Sequence, residues 1–225
     1  MAERVLILGG TREAVALAAD LTSRGHDVTT SLAGRTKEPH PPCGRLRVGG
    51  FGGVDGLRDY LVREGITCLI DATHPFAMRI SENATAAARL AGMPLERRVR
   101  PPWTPVKGDR WERVETIEHA ARTIPGGERV LLALGSQHIA PFAARADVHF
   151  VVRMVDPPPA PLPLPNHSIV LGRPSIEVAE ERALLAAKRI ERIVCRNSGG
   201  TGAYAKLVAA RDLEIPVTMI ERPVV

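Results

Sequence analysis

The chain is poor in the residues that would tie it to several large protein classes. Aromatic residues make up 4% of its 225 residues, so a stacking surface for single-stranded nucleic acid, which interleaves aromatic with basic side chains, has little to be built from. No block of like charges resembles a nucleic-acid-binding arm either. Only three cysteines occur, Cys43, Cys68 and Cys195, in no CxxC or Cys/His ligand spacing, and two of them lie inside apolar strand-like runs. Neither a disulfide framework nor a structural metal site is expected. No apolar run approaches the roughly 18 residues that span a bilayer, and the opening MAERVLILGG turns to glycine before a signal-peptide core could form. These absences predict a soluble, cytoplasmic chain without a membrane segment, a bound metal or a nucleic-acid partner.

What is present is ordinary for a globular protein, with 44% apolar and 24% charged residues. The length suits one large domain or two small ones. A net charge of +5 arises with arginine far outnumbering lysine. Base-composition bias explains this as readily as an anionic partner such as a phosphorylated cofactor or a polycarboxylate.

Periodicity orders the chain. RVLILGG, residues 4–10, is a continuous apolar run ending in glycine, as a strand buried on both faces should be. Ala14, Leu17, Ala18 and Leu21 then recur at helical spacing before Gly25, which predicts a helix from Thr11 to Arg24. Strands DVTTSLAG, LRVGGF, TCLIDAT and PLERRV follow, alternating with helices over GLRDYLVREG and SENATAAARLAG. RPPWTPVKGDRW, residues 100–111, has three prolines and no period and reads as a linker.

A second series comprises helix IEHAARTI, strand VLLALGS, a short helix near HIAPFAAR and strand VHFVVRMV. After a loop with six prolines between Pro157 and Pro165 come strand SIVLGRP, helix IEVAEERALLAAKRI, strand RIVCRNSGG, helix TGAYAKLVAARDL and strand VTMIERP. Strands separated by helices pair in parallel. The expectation is an α/β chain of two Rossmann-like parallel-sheet domains, residues 1–100 and 112–225, with a cleft between them.

In open parallel sheets, ligands sit beyond the carboxyl ends of the strands. Gly9, Gly10 and Thr11 form the first strand-to-helix turn, where a tight bend and free N–H groups suit a pyrophosphate, although Thr11 and Ala14 replace the later glycines of GxGxxG. A turn that merely closes a βα unit would look similar. The second strand ends in Ser31, Leu32, Ala33, Gly34 and Arg35. An NAD-specific site places a carboxylate there, whereas a hydroxyl and a guanidinium suit the 2′-phosphate of NADPH; a solvated arginine is the plainer alternative.

DATHPFA places Asp71, Thr73 and His74 after the fourth strand, with His74 open to three roles: proton donor, hydrogen-bond donor or simple turn residue. RNSGGTGAY, residues 196–204, has the makings of an anion nest in which Ser198 and Thr201 add hydroxyls to backbone N–H groups. It is not a P-loop, and Tyr204 with Lys206 is not a Tyr-x-x-x-Lys pair, since two helical positions point about 200° apart.

Taken together, ILGGTREA, GGFGG, DATHPFA, RPPW, LGRP and NSGGTGAYAKLVAARDLEIPV resemble, in order and over nearly the whole chain, the precorrin-6A reductase family of cobalamin biosynthesis. The resemblance implies NADPH-dependent reduction of a double bond in precorrin-6A, a polycarboxylate tetrapyrrole, to give precorrin-6B. It assigns Gly9, Gly10, Thr11, Ser31, Arg35, Gly50, Phe51, Gly52, Thr73 and His74 to the NADPH side, with His74 assisting the chemistry. Arg173, Asn197, Ser198, Gly199, Gly200, Thr201 and Tyr204 fall to the substrate side. Two alternatives remain at this point: a cofactor-free tetrapyrrole enzyme of the uroporphyrinogen-synthase type, and a non-enzymatic NADP-sensing module.

Overall fold

The computed structural model describes residues 2–34 and 42–223. It divides into two compact units, residues 1–100 and 101–225.

The first unit runs β1 (Arg4–Leu8), α1 (Arg12–Ser23), β2 (Asp27–Leu32), β3 (Arg45–Val48), α2 (Val54–Arg63), β4 (Cys68–Asp71), α3 (Met78–Ala91) and β5 (Leu95–Arg97). Its five strands are all parallel, in the order β3-β2-β1-β4-β5. Alternation along the pleat sends Leu6 and Leu8 of β1 toward Leu57, Leu61 and Ala84, while Val5 and Ile7 meet Ala14 and Ala18 of α1. The strand therefore needs apolar residues on both faces and takes the centre of the sheet. Helix α3 starts at Met78, earlier than SENATAAARLAG predicts, because Ile80 continues the apolar stripe of Ala84, Ala87 and Ala88.

The second unit runs β6 (Trp111–Val114), α4 (Ile117–Thr123), β7 (Arg129–Ala133), β8 (His149–Met154), β9 (His167–Leu171), α5 (Val178–Ala187), β10 (Arg192–Arg196), α6 (Ala205–Asp212) and β11 (Val217–Ile220). Its six strands are also all parallel, ordered β6-β11-β10-β7-β8-β9. Leu131, Val151, Ile193, Cys195 and Met219 pack under Leu185 of α5 and Leu207 of α6. The buried rings of Phe142 and Phe150 meet edge to face at 5.4 Å.

Both expected sheets are present, with local differences. Residues 101–111, read as a linker, belong to the second unit, because Trp103 is 7% exposed and part of its core. The unpredicted strand β6 is a four-residue edge strand, WERV, whose Glu112 and Arg113 hide the pattern. The short helix expected near His138 is two 3-10 turns, Ser136–His138 and Ala140–Phe142. Pro141 brings no N–H to a longer helix. The stretch from Pro157 to Pro165 has neither helix nor strand. Among the described residues no helix is long and apolar enough to cross a membrane, and no group of three or more His, Cys, Asp or Glu is placed to hold a metal ion.

Each sheet has one point where successive crossovers reverse direction, between β1 and β4 in the first and between β7 and β10 in the second. Reversal opens a crevice at the strand carboxyl ends, where doubly wound sheets take ligands.

Candidate active site

At the first reversal point the β1 turn is held close and left bare. The Gly9 N–H donates to Ser31 O at 2.9 Å, and a Cβ on Gly9 would lie 2.9 Å from Thr30 Cγ2. Gly10, at φ +109°, has nothing within 4 Å of where a side chain would begin. Thr11 caps α1, its hydroxyl accepting from Ala14 N at 3.1 Å and donating to Ala72 O at 3.0 Å, which ties the β1 turn to the β4 turn. Glu13 in the first turn of α1 is paired with Arg100 at 2.7 Å, so its charge is compensated. A bare glycine turn at the N-terminus of a twelve-residue helix fits a pyrophosphate, which takes N–H donors and the positive end of the helix dipole.

Across the reversal, Asp71 is buried and its Oδ1 accepts from Thr73 N at 3.1 Å and from the Thr73 hydroxyl at 2.7 Å. His74 O accepts from Ala77 N at 2.7 Å. His74 Nδ1 accepts from Phe76 N at 3.3 Å, so a neutral ring carries its hydrogen on Nε2. The DATHPFA turn is thus fixed by a carboxylate and main-chain bonds, with a half-buried imidazole held as a donor.

One strand further out, β3 pairs with β2 in a register that sets Arg47 beside Ser31. Arg47 Nη1 donates to Ser31 Oγ at 3.4 Å and to Gly49 O at 2.6 Å, Nη2 donates to Gly50 O at 2.8 Å, and the guanidinium lies 3.8 Å from the centre of the Phe51 ring. Phe51 meets Tyr60 edge to face at 5.2 Å. Among the described residues, the GGFGG turn is therefore organised around an arginine whose partners are backbone carbonyls, a serine hydroxyl and a ring.

The second unit anchors its glycine turn with large side chains. Asn197, 2% exposed, accepts from Trp103 N at 2.7 Å and donates to Trp103 O at 3.0 Å. Trp103 Nε1 donates to Gly200 O at 2.7 Å, and Arg222 donates to Asn197 O at 2.9 Å and to Ser198 O at 3.0 Å. A trans peptide directs C=O and the following N–H to opposite sides. With the carbonyls of Ser198 and Gly200 turned to Arg222 and Trp103, the N–H groups of Gly199 and Thr201 face the other way. Beneath the turn, Lys206 Nζ donates to Ala203 O at 2.7 Å and lies 4.8 Å from the Trp103 ring centre. Burial pushes the Lys206 ammonium pKa down and the neighbouring Cys195 thiol pKa up.

Residues 4–225 match the family model described as precorrin-6x reductase CbiJ/CobK. The chain belongs to the precorrin-6x reductase family. The precorrin-6A reductase of Rhodobacter capsulatus is 47% identical over 223 residues, 99% of this chain and 89% of that protein. The precorrin-6A reductase of Mycobacterium tuberculosis H37Rv is 43% identical over 221 residues, 98% of this chain and 89% of that one. The cobalt-precorrin-6A reductase of Priestia megaterium is 29% identical over 237 residues, 97% and 90% respectively. The solved structure of CobK precorrin-6A reductase superposes with a TM-score of 0.96 at 46% identity, covering 100% of this chain and 90% of that one.

In this member of the precorrin-6x reductase family, Gly9, Gly10, Thr11, Thr73 and His74 meet at the first reversal point, and Ser31, Gly50, Phe51 and Gly52 lie around the neighbouring β2 and β3 ends. Arg35 lies outside the described residues. On the other unit, Ser198, Gly199, Gly200 and Thr201 follow β10 at its reversal point, whereas exposed Arg173 follows the edge strand β9, two strands and roughly 10 Å from β7.

Two residues assigned to substrate have other work. The Asn197 amide is engaged with the Trp103 backbone. The Tyr204 hydroxyl runs down α6 to accept from Arg211 Nη2 at 3.4 Å, beside the Arg211–Asp109 ion pair. Sequence reading also missed Arg47, since only the β2–β3 register brings it to Ser31.

Proposed function

We propose that this chain catalyses NADPH-dependent reduction of one double bond of precorrin-6A, giving precorrin-6B. The observation that carries the reading is the first reversal point, where an open glycine turn at a helix N-terminus lies beside strand ends with a serine and an arginine in place of a ribose-binding carboxylate. Gly9, Gly10 and Thr11 would hold the pyrophosphate through backbone N–H groups. Ser31 and Arg47, with Arg35, would receive the 2′-phosphate, because a guanidinium fork donates charge-assisted hydrogen bonds to phosphate oxygens. Gly50, Phe51 and Gly52 border the same end of the sheet, and Thr73 with His74 Nε2 lies on the nicotinamide side. NADPH, when bound, supplies a hydride.

The chain's own contribution is orientation and electrostatics. Ser198, Gly199, Gly200, Thr201 and Arg173 would receive the substrate's carboxylates. His74 would orient the macrocycle as a hydrogen-bond donor. Higher identity to relatives named for the cobalt-free substrate, 47% and 43% against 29% for a cobalt-named one, favours the metal-free macrocycle.

The test is an absorbance assay of the purified protein with metal-free and cobalt-bearing precorrin-6A, using NADPH and NADH in parallel. NADPH should be oxidised with the metal-free substrate. Removing a charge-assisted contact costs about 1.5–3 kcal/mol, so Arg35→Ala or Arg47→Ala should lower the preference for NADPH over NADH by roughly 10- to 150-fold. Equal losses with both nucleotides would remove that arginine from the 2′-phosphate, and absence of turnover with either substrate would sink the proposal.

A further inference from the structure

The second unit repeats the arrangement of the first around its own reversal point. In the first, a glycine turn leading into a helix follows β1 and a histidine turn follows β4; in the second, NSGG leading into α6 follows β10 and GSQH follows β7. What differs is the last residue of β10, an arginine. Arg196 Nη1 lies 3.2 Å from His138 Nε2, and Arg196 Nη2 donates to Leu134 O at 3.3 Å. A guanidinium has no acceptor, so it must donate, and His138 Nε2 must present its lone pair. The imidazole is then neutral, and the guanidinium plane is fixed by two acceptors from the turn after β7. Both side chains are partly exposed at a strand-end crevice, and Ser198, whose Oγ donates to Arg196 O at 3.2 Å, lies within the same turn.

We propose that Arg196 is a binding residue for a side-chain carboxylate of the macrocycle and that His138 is the positioning residue that holds its guanidinium. This rests on the function proposed above. The ligand chemistry follows from the donors: a planar guanidinium donates two parallel hydrogen bonds to the oxygens of a carboxylate. The imidazole and the Leu134 carbonyl lower the freedom that Arg196 would otherwise lose on binding. The Thr201 N–H, turned away from Trp103, lies on the same turn as an added donor.

The experiment measures binding and turnover separately on Arg196→Gln, Arg196→Lys, His138→Ala and the double variant Arg196→Gln/His138→Ala. Precorrin-6A affinity is read by absorbance titration without nucleotide, NADPH affinity by fluorescence titration without macrocycle, and folding by thermal melt. Arg196→Gln should weaken precorrin-6A binding about 10- to 100-fold, with KM following it, kcat little changed and NADPH affinity unaltered. Arg196→Lys, which keeps the charge and folds with the least perturbation, should fall between it and wild type. His138→Ala should weaken binding several-fold alone and add nothing on the Arg196→Gln background.

Unchanged macrocycle affinity in both Arg196 variants overturns the site, and a weakened NADPH affinity instead moves Arg196 to the cofactor. Full additivity of the two substitutions overturns the positioning role. Wild-type protein that binds precorrin-6A in an Arg196-dependent way without oxidising NADPH would leave the site standing and bring down the proposed reaction. Turnover with an Arg196-independent KM would do the reverse.

Discussion

The turns at the two reversal points are both glycine turns leading into helices, yet they are stabilised by opposite means. In the first unit the side chains of Thr30, Leu32 and Ala14 close on Gly9, a threonine hydroxyl bridges to Ala72, and the space beyond Gly10 is open. In the second unit a tryptophan and an arginine engage the carbonyls of Asn197, Ser198 and Gly200, and the buried Asn197 amide donates to the Trp103 carbonyl. The first leaves room for a group to lie against the backbone. The second gives up that room and gains a fixed surface of N–H groups next to a strand-end arginine. The flexible cofactor and the rigid macrocycle of the proposed reaction would call for those two different surfaces, since a rigid ligand gains most from donors that need no reorganisation.

One methyl group added to each turn should separate the two most strongly. A Cβ on Gly199 would lie 2.1 Å from the Pro101 carbonyl oxygen, at φ +67°. Backbone cannot move aside as a side chain tip can, so overpacking and left-handed strain add, each about 1–3 kcal/mol. Gly199→Ala should therefore lose about 2–6 kcal/mol of stability in denaturant unfolding. Gly10→Ala meets no atom within 4 Å and should lose only the strain, about 1–3 kcal/mol. Equal losses would mean that approach to Pro101 does not fix the second turn.

These two turns also differ in how far they can be read from sequence. The first unit's central pieces follow from local pattern: an apolar run buried on both faces, a 3.6-residue stripe, and a threonine placed to cap it. The second turn's chemistry is non-local. Nothing near Asn197 announces that its amide pairs with a residue 94 positions earlier, and RPPW reads as a linker because the prolines are local while the Trp103 contacts are not. Arg47 escapes for the same reason, its neighbour Ser31 being set by strand register. Strand β6 escapes because its apolar residues are only Trp111 and Val114, which fall on opposite faces with Glu112 and Arg113 between them, so no alternation shows.

A middle-sized effect separates the histidines of the two turns. His74 receives a main-chain N–H on Nδ1, whereas His138 receives a guanidinium. In His74→Ala the Asp71–Thr73 bonds and the Ala77–His74 main-chain bond do not depend on the ring, so the turn should persist. A positioned general acid contributes about 100- to 10,000-fold. A donor that only orients substrate contributes less, and we expect about a 10-fold loss in kcat with little change in the pH profile. A loss above about 1,000-fold, together with disappearance of an ionisation near 6.5, would make His74 the proton donor.

The smallest effect concerns the buried lysine beneath the second turn. Lys206 is 3% exposed, and burial lowers its pKa, while the unfolded side chain titrates near 10.4. Between the depressed folded value and about 10.4 the unfolded chain binds more protons than the folded one, so stability attributable to this group rises with pH across that window. Lys206→Met removes the buried ammonium and also the hydrogen bond to Ala203 O, two changes of opposite sign that should leave stability at pH 7 within about 1 kcal/mol of wild type. Between pH 7 and 10 the wild type should gain stability relative to the variant. Cys195, whose thiol is pushed up by burial and held back by the Lys206 charge, tilts both proteins the other way, since its unfolded form loses its proton first; without Lys206 the thiol rises further, so its part of the difference has the same sign as the Lys206 effect. Denaturant unfolding of the pair at pH 7, 8.5 and 10 measures it, and parallel profiles would show that the buried amine is not what the second turn rests on.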